Sequence, residues 1–263
     1  MAAAMQRGQF NVVETENGTA PGPFLFVCEH ASNAFPQTFG TLGLDADARR
    51  AHIAWDPGAL GVARSLAARL DAPLVHACVS RLIYDLNRPP SSPGAMTALS
   101  ESYAIPGNQA LDAAERRRRT EAVYLPFHDT LHAEIARRMA TGAAPVLVTV
   151  HSFTPVWFGT ARTVELGVIH DADATLARAV LTEARARTGL DCRLNEPYSA
   201  ADEVTHTLRL HATPYGLPNV MLEIRNDLIA DAAAEDAMAA RLAPVLRAAL
   251  AEIEPDLKQR ATV

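Results

Sequence analysis

The strongest constraint on this chain is a pattern that occurs three times, a short unbroken apolar run that ends abruptly in titratable side chains. Pro23-Phe24-Leu25-Phe26-Val27-Cys28 runs into Glu29-His30-Ala31-Ser32-Asn33, and Pro145-Val146-Leu147-Val148-Thr149-Val150 runs into His151-Ser152. Val220-Met221-Leu222 runs into Glu223-Ile224-Arg225-Asn226-Asp227. Such runs are too short to span a membrane and suit strands buried on both faces, as in parallel sheets. A parallel strand ending in polar groups delivers them to the carboxyl edge of its sheet, where open α/β sheets place their ligand sites. Three such ends predict one site assembled from distant segments.

The stretches between these runs carry helical patterns. A short helix is expected over 44–53, with Asp45 near its start. Asp56-Pro57 reads as an N-cap followed by a first-turn proline, opening a helix through Leu70. Residues 73–79 form the next expected strand, and 111–140 a long helix bent at Pro126. A strand over 165–171, a helix over 173–188, a short strand at 192–194, helical structure in 202–211 and a helix over 231–253 complete the alternation. Strands alternating with helices predict a three-layer α/β/α sandwich around a mainly parallel or mixed sheet. With 263 residues, 49% of them hydrophobic, the chain suits one domain over 23–263 preceded by an N-terminal arm over 1–22. That arm has no apolar core of the kind a secretory signal needs.

The net charge of −6 is mild. The run Arg116-Arg117-Arg118-Arg119 stands between Glu115 and Glu121 without interleaved aromatics, so it reads as a solvated helix face, and nucleic acid is not an expected partner. Nor is a membrane. Cys28, Cys78 and Cys192 have no metal-like spacing and read as reduced cysteines of a cytoplasmic protein, the first two in the core. No feature of the sequence speaks to oligomeric state.

Several motifs bear on chemistry. Ser80-Arg81 through Asn87-Arg88-Pro89-Pro90 packs two guanidiniums and an amide into one compact segment, and guanidinium forks suit carboxylate recognition. The competing reading of that segment is a structural bridge from Arg81 to Asp85. Residues 91–107 read as a lid or rim. His128 and His132 are four apart on a helix, half of a zincin pattern, but Asp129 stands where its Glu belongs, so His128 is expected near the site and His132 as an ordinary helix residue. No glycine-rich phosphate loop and no Gly-x-Ser-x-Gly elbow is present. Two histidines, a carboxylate ligand and a further carboxylate as base are the composition of a catalytic zinc site.

In these motifs the sequence resembles the N-formylglutamate amidohydrolases, relatives of the zinc carboxypeptidases and aspartoacylases. The resemblance rests on Cys-Glu-His-Ala-Ser-Asn at 28–33, His-x-x-x-Asp-Pro-Gly-Ala at 52–59 and Arg-Leu-Ile-Tyr-Asp-Leu-Asn-Arg-Pro at 81–89. Tyr-x-Pro-Phe-His at 124–128, Val-His-Ser-Phe at 150–153 and Glu-Ile-Arg-Asn-Asp-Leu-Ile at 223–229 extend it over nearly the whole domain. It implies a fold like that of the zinc carboxypeptidases and a zinc-dependent hydrolase of N-acylated acidic amino acids, formylglutamate giving formate and glutamate. By position, His30 and His151 correspond to the histidine ligands and Glu223 to the general base. Asn87-Arg88 corresponds to the pair gripping a substrate carboxylate, Arg81 lies near the reacting carbonyl, and Arg225 and Asn226 lie beside the substrate. Asn33 stands where the carboxypeptidases place a glutamate ligand. The third ligand is therefore sought elsewhere, Asp56 first and Glu29 second. Two other classes stay open: an arginine-lined binder of an acidic metabolite without metal, and a metal-free hydrolase using Ser32 or Ser152.

Overall fold

The structure, a computed structural model, describes residues 10–260. At its centre lies a seven-stranded sheet. In chain order the strands are β1 (Val13–Glu16), β2 (Phe24–Cys28), β3 (Leu74–Ala77), β4 (Val146–Phe153), β5 (Leu166–Ile169), β6 (Cys192–Leu194) and β7 (Asn219–Arg225). Their spatial order is β1-β3-β2-β4-β7-β5-β6. Strands β3, β2, β4 and β7 run parallel, β1 and β5 pair antiparallel with β3 and β7, and β6 is parallel to β5. The helices are α1 (Ala59–Arg69), α2 (Ala113–Arg119), α3 (Leu125–Ala140), α4 (Thr175–Arg187) and α5 (Ala232–Arg260). No helix among the described residues is long and apolar enough to cross a membrane.

Period-two alternation sorts the strand side chains into two cores. Phe24, Phe26, Val148, Val150, Leu222 and Ile224 pack with α1, α4 and α5 on one face. On the other, Leu25, Val27, Leu147 and Met221 meet Phe127, Leu131 and Ile135 of α3. The result is the expected three-layer sandwich. Counting in twos from Leu147 and Met221 reaches His151 and Glu223, and the register of β4 and β7 sets these two residues directly opposite each other. They therefore share the α3 face, one strand apart. Both strands continue through the polar residues rather than stopping before them, which makes His151 and Glu223 cross-strand neighbours.

Several local expectations differ from what is observed. Residues 44–53 form isolated turns instead of a helix, closed by the Asp45 and Asp47 carbonyls, while Leu44, Ala48 and Ile53 are buried one by one. So short a segment gains little from helix formation unless packing supports it. The long helix over 111–140 is real but is broken by a π-helical turn at Thr120–Tyr124, placed just before Pro126, which has no N–H to donate. Within the N-terminal stretch, Val13–Glu16 is an edge strand of the sheet, and residues 1–9 lie outside the described residues. Arg119 is not on a solvated face: it is buried and donates to the Ile83 and Gly107 carbonyls and to Asn108 Oδ1. It thereby ties the 82–108 segment to α2. Cys78 is half-buried, whereas Cys28 and Cys192 are buried.

Candidate active site

Asp56 does not cap α1. The N-cap is Gly58, in the left-handed region at φ 79°, and it makes no side-chain cap. A Cβ at Gly58 would come within 2.3 Å of the Ile229 carbonyl oxygen, so only glycine fits this turn. The turn frees the Asp56 carboxylate to point at the sheet edge. There Asp56 Oδ2 lies 2.9 Å from His151 Nδ1 and 3.2 Å from His30 Nδ1, and the two Nδ1 atoms are 3.1 Å apart. His30 follows β2, His151 is in β4 and Asp56 precedes α1, and all three are buried.

The outer sides of the rings fix what the inner nitrogens offer. His30 Nε2 is 2.7 Å from Asp85 Oδ1, and since a carboxylate only accepts, that nitrogen carries the hydrogen. His151 Nε2 lies 3.1 Å from Glu29 Oε2, at ion-pair separation but without hydrogen-bond alignment. Each histidine is thus backed by a carboxylate, the outer-shell pattern of metal-ligating histidines. Each Nδ1 faces Asp56 Oδ2, which accepts from it in the metal-free site, and a metal would take the place of those hydrogens. Three electron-pair donors at this spacing suit a shared cation, and His30, Asp56 and His151 form a group that could hold a metal. Glu29 stands behind His151, as its partner, and not among the converging atoms.

The charges favour a cation as well. Burial pushes Asp56 and Asp85 toward neutrality, but His30 and Arg81 outweigh it and keep both below the usual carboxylate range. Glu29 is likewise held low, burial being outweighed by His151. His30 and His151 are raised despite burial, by Asp85 and Asp56 for the first and by Glu29 and Asp56 for the second. Arg81 spans the group, donating to Asp85 Oδ2 at 2.6 Å and to Asp56 Oδ1 at 3.2 Å. Its bridge to Asp85 therefore exists, but as part of this cluster.

Glu223 behaves differently from the other carboxylates. Burial, with Asp56 adding to it and His151 opposing, pushes it up to about 7. Its Oε2 is buried with no hydrogen-bond partner. Gly167, its antiparallel neighbour on β5, leaves room for the Glu196 carbonyl to approach, and a Cβ there would stand 2.2 Å from that oxygen.

A cavity of about 510 Å³ opens onto these groups. Its walls include His30, Asp56, Arg81, Asn87, Arg88, His151 and Glu223 from the sequence-predicted set. Asn87 and Arg88 are fixed by the 202–207 segment: Asn87 Nδ2 donates to the Val204 carbonyl and its Oδ1 accepts from Thr207 N at 3.0 Å, while Arg88 donates to the Asp202 carbonyl. Gly94, Thr97, Leu99, Ser100 and Glu101 from the 91–107 segment form part of the rim. His128, Arg225 and Asn226 do not line the cavity. Burial, with His211 and His206, pushes His128 down to about 3; it donates from Nε2 to the Leu86 carbonyl and faces His211. Arg225 is held by Asp227, Glu165 and the Arg162 and Thr163 carbonyls, and Asn226 opens a short 3-10 turn behind it. His170-Asp171, another polar strand end, emerges at the far edge because β5 runs antiparallel to β7. Ser152 Oγ donates to the Pro57 carbonyl and Ser32 Oγ accepts from Ala34 N, so neither hydroxyl is held by a base. Sequence reasoning missed Asp85 as the partner of His30, and Trp157 and Tyr198 as cavity walls. The Arg81 to Asp85 spacing was the only signal for the first.

Residues 22–230 match the family profile described as N-formylglutamate amidohydrolase. No protein of curated function matches the chain. A gene product of Agrobacterium tumefaciens, Atu2144, is 54% identical in sequence, with 94% of this chain and 97% of that one covered at a TM-score of 0.91. An N-formylglutamate amidohydrolase from Ralstonia eutropha JMP134 shares the fold at 17% identity, with 90% of this chain and 97% of that one covered at a TM-score of 0.66. With most of its length matched by the profile, and the strand-end motifs of the cavity inside the match, this chain belongs to the N-formylglutamate amidohydrolase family.

Proposed function

We propose that this protein is a zinc-dependent amidohydrolase that cleaves the N-formyl amide of an acidic amino acid, converting N-formyl-L-glutamate and water to formate and L-glutamate. The observation that carries the proposal is the convergence of His30 Nδ1, His151 Nδ1 and Asp56 Oδ2 beside the unpaired, buried Glu223 carboxylate. His30, Asp56 and His151 would hold the zinc. When bound, zinc supplies Lewis-acid chemistry, acidifying water and polarising a carbonyl.

The chain's own groups do the rest. Glu223 takes a proton from the attacking water on its free oxygen and passes it to the departing amine, and a carboxyl pushed up to about 7 suits that exchange near neutral pH. Arg81, oriented by Asp56 and Asp85, faces the cavity and stabilises negative charge developing on the carbonyl oxygen. Arg88 and Asn87, held by the 202–207 segment, position the α-carboxylate. We take the sheet and its helices, from the Val13–Glu16 edge strand onward, as one catalytic domain, and its unpaired cysteines fit a cytoplasmic setting. The serine alternative is disfavoured because neither the Ser32 nor the Ser152 hydroxyl is hydrogen-bonded to a base among the described residues, and the metal-free binder leaves a cluster of carboxylates unexplained.

Purified protein should carry about one zinc per chain. It should release formate from N-formyl-L-glutamate, lose that activity on chelation and regain it with zinc. Full activity after complete metal removal would defeat the zinc assignment, and absence of turnover in zinc-loaded protein would defeat the substrate assignment.

A further inference from the structure

Arg162 follows the small hairpin at Val156–Trp157 and Thr160–Ala161. Its guanidinium carbon lies 4.9 Å from the ring centre of Trp157, 5.1 Å from that of Tyr198 and 5.5 Å from that of Phe153. All three rings line the cavity. Its Nη1 donates to the Tyr198 hydroxyl at 3.1 Å. Tyr198 lines the same cavity as Glu223 and Arg81, and Arg162 stands behind the three rings rather than among the lining residues.

What distinguishes Arg162 from the other guanidiniums here is its lack of an anion. Arg81 is committed to Asp56 and Asp85, and Arg225 to Asp227 and Glu165. Arg88 has Glu203 at 3.9 Å. Among the described residues no carboxylate pairs with Arg162, and of its five N–H groups one has a side-chain acceptor. Aromatic faces hold a guanidinium in place by cation–π attraction without satisfying its in-plane donors, which remain available for a carboxylate. A protein anion would have neutralised it; three rings only fix its position.

We infer that Arg162, held in its cage of Phe153, Trp157 and Tyr198, is the receptor for the side-chain carboxylate of the substrate. It thereby makes the cavity select acidic over neutral N-acyl amino acids. The inference rests on the amidohydrolase reading above and adds the element that reads the distal charge. Arg88 and Asn87 take the carboxylate near the scissile amide, and Arg162 takes the one at the end of the side chain. This replaces Arg225, which is already neutralised.

The test compares N-formyl-L-glutamate with N-formyl-L-glutamine, nearly isosteric and lacking the distal charge, on zinc-loaded wild type, Arg162→Met and Arg162→Lys. Loss of a charge-assisted contact predicts a fall in kcat/KM of roughly 10- to 100-fold for the glutamate substrate in Arg162→Met, mostly through KM. The glutamine substrate should be little affected, and Arg162→Lys should recover part of the loss. Equal losses on both substrates, or none, would overturn the receptor role, with melting temperatures showing whether the variant is folded. If wild type hydrolyses neither compound, the amidohydrolase reading fails separately, and glutarate binding by calorimetry then decides. Weaker glutarate binding to Arg162→Met than to wild type supports the receptor; equal binding overturns it.

Discussion

Beneath the 85–88 loop lies a group of histidines whose behaviour can be predicted from burial alone. His206 Nε2 and the Tyr124 hydroxyl are hydrogen-bonded, 2.8 Å apart, and His206 is buried together with His128 and His211. Burial, reinforced by Arg209, pushes His206 down to about 4, whereas an unfolded histidine titrates near 6.5. Between these values the unfolded chain binds a proton that the folded chain refuses, so stability falls as pH falls. The effect begins near pH 6.5 and ends near pH 4. Integrating the difference in bound protons from pH 7 to pH 5, with a folded value of about 4, gives about 2 kcal/mol for this one side chain. Other groups, Glu223 among them, titrate in the same window with the opposite sign, so the measurement must be a difference between two proteins. In His206→Phe the ring cannot take up a proton. The variant loses the Tyr124 hydrogen bond at every pH, a constant cost that cancels in the comparison. Denaturant unfolding of both proteins at pH 7, 6 and 5, at matched metal content, should show the wild-type advantage shrinking by about 2 kcal/mol across that range. Parallel stability curves would refute the claim that His206 is buried in the neutral form.

Glu223→Gln should keep the melting temperature and zinc content while kcat falls roughly 10²- to 10⁴-fold, the range expected when a general base is removed. Near-normal kcat would remove Glu223 from the chemistry, and a fall in zinc content would make it a ligand instead. Asp85→Asn leaves an acceptor for His30 but removes the charge that also holds Arg81. Zinc affinity should weaken about 10- to 100-fold, as for other outer-shell partners, and competition with a chromophoric chelator measures it. An unchanged affinity would mean that His30 is oriented without Asp85.

The strand ends were readable because a buried parallel strand must be apolar on both faces, and its first polar residue then marks the sheet edge. His30, His151 and Glu223 follow from that rule, and the register of β4 and β7 brings the last two together. Asp56 was legible as a carboxylate near the edge, but its local pattern also fitted a helix cap. The deciding factor was the left-handed turn at Gly58, forced by the nearby Ile229 carbonyl. That contact comes from 171 positions further along the chain and leaves no local trace. Arg225 misled for a related reason. Two residues beyond Glu223, it has the right parity for the site, but Glu165 and Asp227 capture it outside the cavity. Arg162 carried no signal at all, because its meaning depends on three rings drawn from β4, a hairpin and a distant loop.

The charge balance of the centre links the proposed metal to the proposed substrate. Glu29, Asp56 and Asp85 are all held ionised, while among the described residues Arg81 is the one guanidinium that pairs directly with this group. Counted with both histidines neutral, as metal ligands must be, three carboxylates against one guanidinium leave two surplus negative charges in a buried site. Without a metal, the raised histidines supply the compensating charge as protons. Unbalanced buried charge of that size is expensive, and the site must draw in cations or protons to offset it. A bound divalent ion balances it fully, whereas protons would have to occupy the same Nδ1 positions that face Asp56. The balance also governs what can enter. A substrate with two carboxylates would be repelled by a centre of charge minus two, but not by one neutralised by zinc. Beyond that centre, Arg88, whose carboxylate neighbour is loosely placed, and Arg162, which pairs with none among the described residues, would receive it. The two carboxylates of the proposed substrate and two receptive guanidiniums would then match in number, provided that a metal held by His30, Asp56 and His151 first cancels the charge of the site.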